Sequence, residues 1–283
     1  MGNNGVTSPW RFAFASVRGT SHLRSELPCQ DVGSCSIVER ADGEPILIAC
    51  VADGAGSAPR GEAGAALACA SFAEAVEWAY AAGYPNRLAD HARARRGWSL
   101  FVKRWLRRFR LSVEDLASAE ERSPREFACT FLAVVAEESR AAFAQVGDGV
   151  IVVEDPQNPD HYSHVFWPQR GEHANETHFL TEADVCSCLE SDVSVVPIQE
   201  VALLTDGTQA FALDYVNQDV HEPFFRGVFP PVRGLEPGFS PELSRFLAEF
   251  LDSPRVCALT DDDKTLVLAT RRENWAVAGD RAG

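Results

Sequence analysis

Four short acidic segments, each set against an apolar run, constrain this chain more than any other feature of its sequence. In Cys50-Val51-Ala52-Asp53-Gly54-Ala55-Gly56 the run ends on an aspartate and enters a glycine turn, and Val201-Ala202-Leu203-Leu204-Thr205-Asp206-Gly207 repeats the pattern. Gln145-Val146-Gly147-Asp148-Gly149 sets a third aspartate in a tight turn between two strand-like runs, and Asp261-Asp262-Asp263 leads straight into Lys264-Thr265-Leu266-Val267-Leu268. A carboxylate at a strand end is held by the sheet, and a following glycine lets its own carbonyl approach a ligand closely. One such turn says little. Four converge if their strands lie side by side, and like charges held that close need cations between them.

Competing readings of the same segments fail on spacing. Gly56 and Gly61 have the separation found in a phosphate-cradling loop, but Glu62 stands where that loop needs lysine. Gly54-Ala55-Gly56 lacks the third glycine of a dinucleotide fingerprint. The acidic triplet lacks the ligand spacing and distal glutamate of an EF-hand. Neither a Gly-x-Ser-x-Gly elbow nor a Cys-x5-Arg loop occurs, so covalent catalysis has no seat.

Runs rich in branched and aromatic residues predict strands over Phe12 to Val17, Ile46 to Ala52, Thr130 to Ala136, Ala142 to Val146, Val150 to Glu154, Val201 to Thr205 and Thr265 to Thr270. Helical periodicity covers Gly61 to Ala82, about Asp90 to Leu116, and Pro241 to Leu251, where Ser240 caps and Pro241 fits the first turn. Strands and helices do not alternate. That order favours an α+β fold, antiparallel sheets with helices packed outside, over a doubly wound parallel sheet. Pro156 to Thr181 and Pro223 to Pro241 follow neither period. With 283 residues and 46% hydrophobic content, a single domain over 1–283 with a core of about 10–270 is expected.

Lys and Arg number 26 against 41 Asp and Glu, and the net charge of -15 argues against nucleic-acid binding, which needs basic surface. The same acidity suits a protein that gathers carboxylates around hard divalent ions. Several of the eight cysteines lie inside apolar stretches, as small hydrophobes in a reduced compartment do. Met1 to Pro9 lacks the regions of a signal peptide and no run of about 18 apolar residues occurs, so the expectation is a cytoplasmic protein with no membrane partner.

Taken in order, Gln30-Asp31, Val51-Ala52-Asp53-Gly54, Cys129-Thr130, Gly147-Asp148-Gly149, Thr205-Asp206-Gly207 and Asp262-Asp263-Lys264-Thr265 resemble the PPM family, the type 2C protein phosphatases, in a bacterial subgroup. The resemblance runs from Trp10 to about Ala269. It implies a four-layer αββα sandwich, two central antiparallel sheets flanked by helices, with metals in a cleft at one edge. It also implies a metal-dependent hydrolase of phosphoserine and phosphothreonine in proteins, using two or three manganese or magnesium ions. Carried over residue by residue, Asp53 bridges two metals, Gly54 offers its carbonyl, Asp206 and Asp262 complete one shell, and Asp148 with Asp206 holds a third, weaker ion. Two cations so held activate a water for in-line attack on phosphorus, with no covalent enzyme intermediate.

Two departures from the family pattern stand out. Its early acidic pair reads Gln30-Asp31 here, so either Gln30 supplies a neutral amide oxygen or Asp31 moves in. Its phosphate-gripping arginine lies closer to that pair than any basic residue of this chain. Arg18, His22 and Arg24 are the candidates, and His22 is favoured as phosphate binder or proton donor. The neutral Gln30 keeps a second reading open, a catalytically weak or dead relative that binds phosphoproteins as a regulatory module. A hydrolase of small phosphoesters is a third.

Residues 91–113 hold eight Lys and Arg and no acid, with Trp98, Phe101, Val102, Trp105, Leu106 and Phe109 at helical spacing. One side packs inward; the basic side is either a solvated face or a dock for an acidic or phosphorylated partner. His161, His164, His173 and His178, with Cys186 and Cys188, fit no common zinc spacing. Gly171 to Thr177 reads as a subgroup signature and a substrate-facing flap.

Overall fold

The computed structural model describes residues 8–40, 42–83, 91–169 and 177–272. One sheet orders β2 (Asp31–Glu39), β3 (Pro45–Asp53), β4 (Phe131–Ala136), β5 (Ala141–Val146) and β8 (Glu190–Ser194), every pair antiparallel. The other orders β12 (Gly238–Phe239), β1 (Arg11–Val17), β13 (Lys264–Thr270), β9 (Glu200–Leu204), β6 (Val150–Glu154) and β7 (Tyr162–His164). In that sheet β1 and β12 pair in parallel and the remaining pairs are antiparallel. A hairpin of β10 (Leu213–Asp214) and β11 (Asp219–Val220) stands apart.

Strand period two explains the stacking. On β3, Ile46, Ile48, Cys50 and Ala52 pack against Phe72, Trp105 and Phe109 of helices α2 (Gly61–Ala81) and α3 (His91–Ala119). Its alternate residues Leu47, Ala49 and Val51 pack against Ile151, Leu203 and Val267 of the opposing sheet. From that sheet, Ala202, Leu204, Leu266 and Leu268 face Phe225, Phe229 and Leu251 of helices α6 (Glu222–Arg233) and α7 (Pro241–Leu251). Three apolar seams therefore separate four layers. This is the αββα sandwich of α+β class that the element order and the resemblance predict. Short turns complete the described residues: α1 (Thr20–Arg24), α4 (Val185–Cys188), α5 (Gln209–Ala212) and α8 (Pro254–Cys257), with 3₁₀ turns over Pro124–Phe127 and Asp206–Thr208. Ser240 caps α7, its hydroxyl accepting from Leu243 N at 3.2 Å.

Two expectations are corrected. Pro223 to Pro241 is not wholly irregular: α6 fills its first half, with Pro223 in the opening turn, where no N–H is needed, and Pro230 and Pro231 in the last. Pro156 to Thr181 likewise contains β7. Strand β2 also joins the sheet along the whole of β3 without having been expected. The expected helix start at Asp90 and most of the 171–177 signature lie outside the described residues. Among the described residues no helix is long and apolar enough to cross a membrane.

Candidate metal centre

The alternation that buries β3 carries one residue further. Leu47, Ala49 and Val51 face the seam between the sheets, so Asp53, next in that phase, turns inward at the open end of the strand. Its backbone is pinned: Asp53 N donates to Thr130 Oγ1 at 3.1 Å and Asp53 O accepts from Thr130 N at 2.8 Å. Asp31 begins β2 directly opposite Asp53 in the ladder. Gly147-Asp148-Gly149 is the turn by which the chain leaves β5 in one sheet and enters β6 in the other. Asp206 follows β9, the neighbour of both β6 and β13. The acidic segments thus meet at one edge of the sandwich.

Carboxylate oxygens of Asp53, Asp148 and Asp206 lie within 4.8 Å of one another. Burial pushes the Asp53 carboxyl well above its ordinary range, and the charges of Asp31, Asp206, Asp262 and Asp148 push it further. Asp206 is raised to about 7 by burial, then by Asp148 and Asp262. Asp31 is raised to about 8 by burial, then by Asp206 and Asp263, against a hydrogen bond from Thr205. Asp148 is raised by burial, with Asp262 adding to it. Asp262 therefore sits close enough to act on Asp53, Asp148 and Asp206, though outside their tight triad.

A second acidic group, Glu154, Asp160 and Glu200, shows the contrast. Arg233 pairs with Glu200 at 2.6 Å and Asp160 at 2.7 Å, and Arg272 pairs with Glu154. Among the described residues no lysine or arginine pairs with Asp31, Asp53, Asp148, Asp206 or Asp262. The nest therefore lacks the compensation that buried carboxylates otherwise carry. Asp31 shows the deficit at one atom: Oδ2 accepts from Thr205 Oγ1 at 2.8 Å, while Oδ1 is buried without a partner. Buried oxygens are rarely left so. An all-oxygen set of this charge fits hard divalent cations.

The glycine after Asp53 has a steric reason as well. A Cβ on Gly54 would lie 2.4 Å from the carbonyl carbon of Gly61, where α2 begins, so only glycine lets that helix start against the site. Gln30 spans the same gap, its Nε2 donating to Ala58 O at 2.8 Å while Oε1 is buried without a partner.

The segment with the basic candidates folds over the 261–263 loop. Asp263, buried, accepts from Gly19 N at 2.6 Å and Gln30 N at 2.5 Å, and His22 Nδ1 lies 2.8 Å from its Oδ2. The ring's Nε2 faces the turn after Asp53: a Cβ on Gly56 would lie 4.0 Å from it. Arg18 donates to His22 O at 2.9 Å and closes α1. Arg24 is exposed and pairs with Asp261 at 2.7 Å. The structure thus brings His22 to the turn after Asp53, ties Arg18 to the His22 backbone and places Arg24 on the surface. Asp263 and Thr205 are the residues that sequence reasoning missed. The inward phase of Thr265 and Thr205 in their strands was the available signal.

Of the other histidines, His161 pairs with Glu222 at 2.9 Å and His178 with Glu182 at 3.2 Å.

A family model described as Protein phosphatase 2C matches residues 18–252. The chain belongs to that family. Serine/threonine-protein phosphatase 3 of Escherichia coli (strain K12) is 37% identical over 263 residues, spanning 92% of this chain and 98% of that protein. Among solved structures, the catalytic domain of the serine threonine protein phosphatase PstP, in complex with two manganese ions, aligns with a TM-score of 0.55 at 14% identity, covering 92% of this chain and 97% of that one. RsbX in complex with magnesium aligns at 0.52 and 13% identity, covering 92% and 94%. At these identities the two structures show the shared fold.

Proposed function

We propose that this chain, a metal-dependent serine/threonine protein phosphatase by its family, hydrolyses phosphoserine and phosphothreonine at the nest around Asp53. The observation that carries this reading is the convergence of Asp53, Asp148 and Asp206 within 4.8 Å, with no lysine or arginine among the described residues paired to them. Asp31, Asp53, the Gly54 carbonyl, Asp206 and Asp262 would hold two manganese or magnesium ions, and Asp148 with Asp206 a third. Each of Gln30 and Asp31 leaves one buried oxygen unpartnered, and Asp31 takes the early position because it is the ladder partner of Asp53 and brings a charged carboxylate where Gln30 brings a neutral amide. When bound, such ions neutralise phosphate charge and lower the pKa of water toward neutrality.

The chain's own residues do the rest. Thr205 fixes the Asp31 carboxylate through its hydroxyl. Asp263 fixes the His22 ring by Nδ1, leaving Nε2 toward the Gly56 turn that follows Asp53. As the oxygen of water bonds to phosphorus and the bond to the serine or threonine oxygen breaks, His22 Nε2–H gives its proton to that leaving oxygen. The proton released by the water returns to His22 through solvent. Arg18 supports this as the clasp on α1.

The protein works in the cytoplasm as one domain over 1–283 with a core of about 10–270, on phosphoprotein substrates and not on nucleic acid, and the basic outer face of α3 takes an acidic partner. Phosphate release from a phosphothreonine peptide, measured with manganese and then with chelator, tests the reading. Turnover that needs the metal supports it. A folded protein that binds the peptide but releases no phosphate under any metal would leave the non-catalytic binding module in its place.

A further inference from the structure

Between α2 and α3, on the side turned away from the sheet, lies a groove of about 510 Å³. Trp78, Phe101, Arg104, Trp105, Arg108 and Phe109 line it. Trp78 is 70% exposed, and Leu100 and Leu111 on α3 are 61% and 60% exposed. Leu100, Arg104, Arg108 and Leu111 follow one another at four, four and three residues, which is one face of a helix. The opposite face of α3 already buries Trp98, Val102, Leu106 and Val113. The sandwich therefore has no need of the outer stripe. Single exposed apolar residues are ordinary, but Trp78 lines the groove itself, and Leu100 and Leu111 extend apolar surface along α3 next to Arg104 and Arg108, which marks a contact surface.

Charge selects what fits there. Residues 91–113 hold eight of the 26 Lys and Arg and no acid, leaving 18 basic residues against all 41 acidic ones in the rest of the chain. A negatively charged partner is repelled by most of this protein and attracted along the α3 wall of the groove, where Arg104 and Arg108 outnumber the one acid that lines it, Glu74 of α2. A groove walled by two helices, with Trp105 and Phe109 among its apolar lining, suits a third helix lying between them. From Leu100 to Leu111 is about 16 Å, three helical turns.

We propose that the α2–α3 groove docks an acidic amphipathic helix of a protein partner, its apolar residues on Trp78 and Phe101 and its carboxylates on Arg104 and Arg108. This deepens the acidic-partner reading of α3 and rests on it. Gly61 begins α2 against Gly54, and Trp78 lies seventeen residues on, about 25 Å along the axis. The dock is therefore remote from the aspartate nest. It raises the local concentration of a tethered phosphosite without touching the chemistry.

The test uses the full chain in chelator and a fluorescein-labelled designed peptide of four helical turns, leucine on one stripe and glutamate elsewhere, read by anisotropy. The wild type binds it, more weakly as salt rises. Arg104→Glu with Arg108→Glu, and separately Trp78→Ala, weaken binding at least about tenfold. Both variants keep wild-type turnover of p-nitrophenyl phosphate and wild-type thermal unfolding. No binding, equal binding of a leucine–lysine peptide, or variants that bind as wild type would each overturn the proposal. So would a dimer in sedimentation that Trp78→Ala abolishes, which assigns the groove to a second copy, or binding to anionic lipid vesicles in preference to the peptide. Because binding is read without turnover, its failure is separate from any failure of the phosphatase reading.

Discussion

Asp31 and Asp53 stand opposite each other as partners in the β2–β3 ladder, two carboxylates on one rung. Like charges so placed oppose strand pairing. The rung nonetheless closes the sheet at the edge where Asp148 and Asp206 also arrive. The arrangement makes sense if the charge is met by cations, and it exposes the account to measurement.

The first consequence is in stability against pH. Asp31 at about 8 and Asp206 at about 7 both lie above their range in an unfolded chain, roughly pH 4. Between those limits the folded, metal-free protein binds more protons than the unfolded one, so its stability falls as pH rises. Thermal unfolding in chelator should occur at lower temperature at pH 8 than at pH 5. Saturating manganese should remove or reverse that slope, and Asp31→Asn should flatten it without metal. A midpoint that climbs with pH in chelator contradicts this.

Thr205 links two strands across the site, donating to Asp31 at 2.8 Å and accepting from Thr265 N at 2.9 Å. Thr205→Val leaves both partners unmet in the interior and should cost about 1–3 kcal/mol in urea unfolding. Thr205→Ser keeps the hydroxyl and should recover most of it. Equal loss in both variants would assign the effect to the methyl group instead.

His22 gives a prediction that a structural role would not move. His22→Ala should lose roughly 10²–10⁴-fold on a phosphoserine peptide, whose leaving oxygen needs a proton. On p-nitrophenyl phosphate, whose leaving group departs as an anion, it should lose little. Asp263→Asn should show the same split to a smaller degree. Equal losses on both substrates would make His22 a packing residue.

Gly54 and Gly56 differ by their neighbours. A methyl on Gly54 meets Gly61 backbone at 2.4 Å, whereas one on Gly56 meets only the tip of His22 at 4.0 Å. Gly54→Ala should destabilise by about 1–3 kcal/mol and Gly56→Ala by less than about 0.5 kcal/mol, as read from chemical denaturation.

Much of this architecture is legible in the sequence because the central strands are buried on both faces and read as unbroken apolar runs, as at Ile46 to Ala52. β2 hides because Gly33, Ser34 and Ser36 give an edge strand no apolar pattern. α6 hides because three prolines break its reading: Pro223 fits the first turn, where no N–H is needed, whereas Pro230 and Pro231 lie inside the helix near its end and each removes a backbone donor. The acidic residues can be found as strand-end turns, but their convergence depends on sheet order. The bond from Asp263 to His22 spans 241 positions, and no local pattern announces it.

The most direct test is manganese-dependent phosphate release from a phosphothreonine peptide by Asp53→Asn beside wild type, with unfolding curves confirming that both are folded. The account predicts a loss on the order of 10³-fold or more in the variant that added metal does not restore. A folded Asp53→Asn protein that works within a few fold of wild type would contradict it.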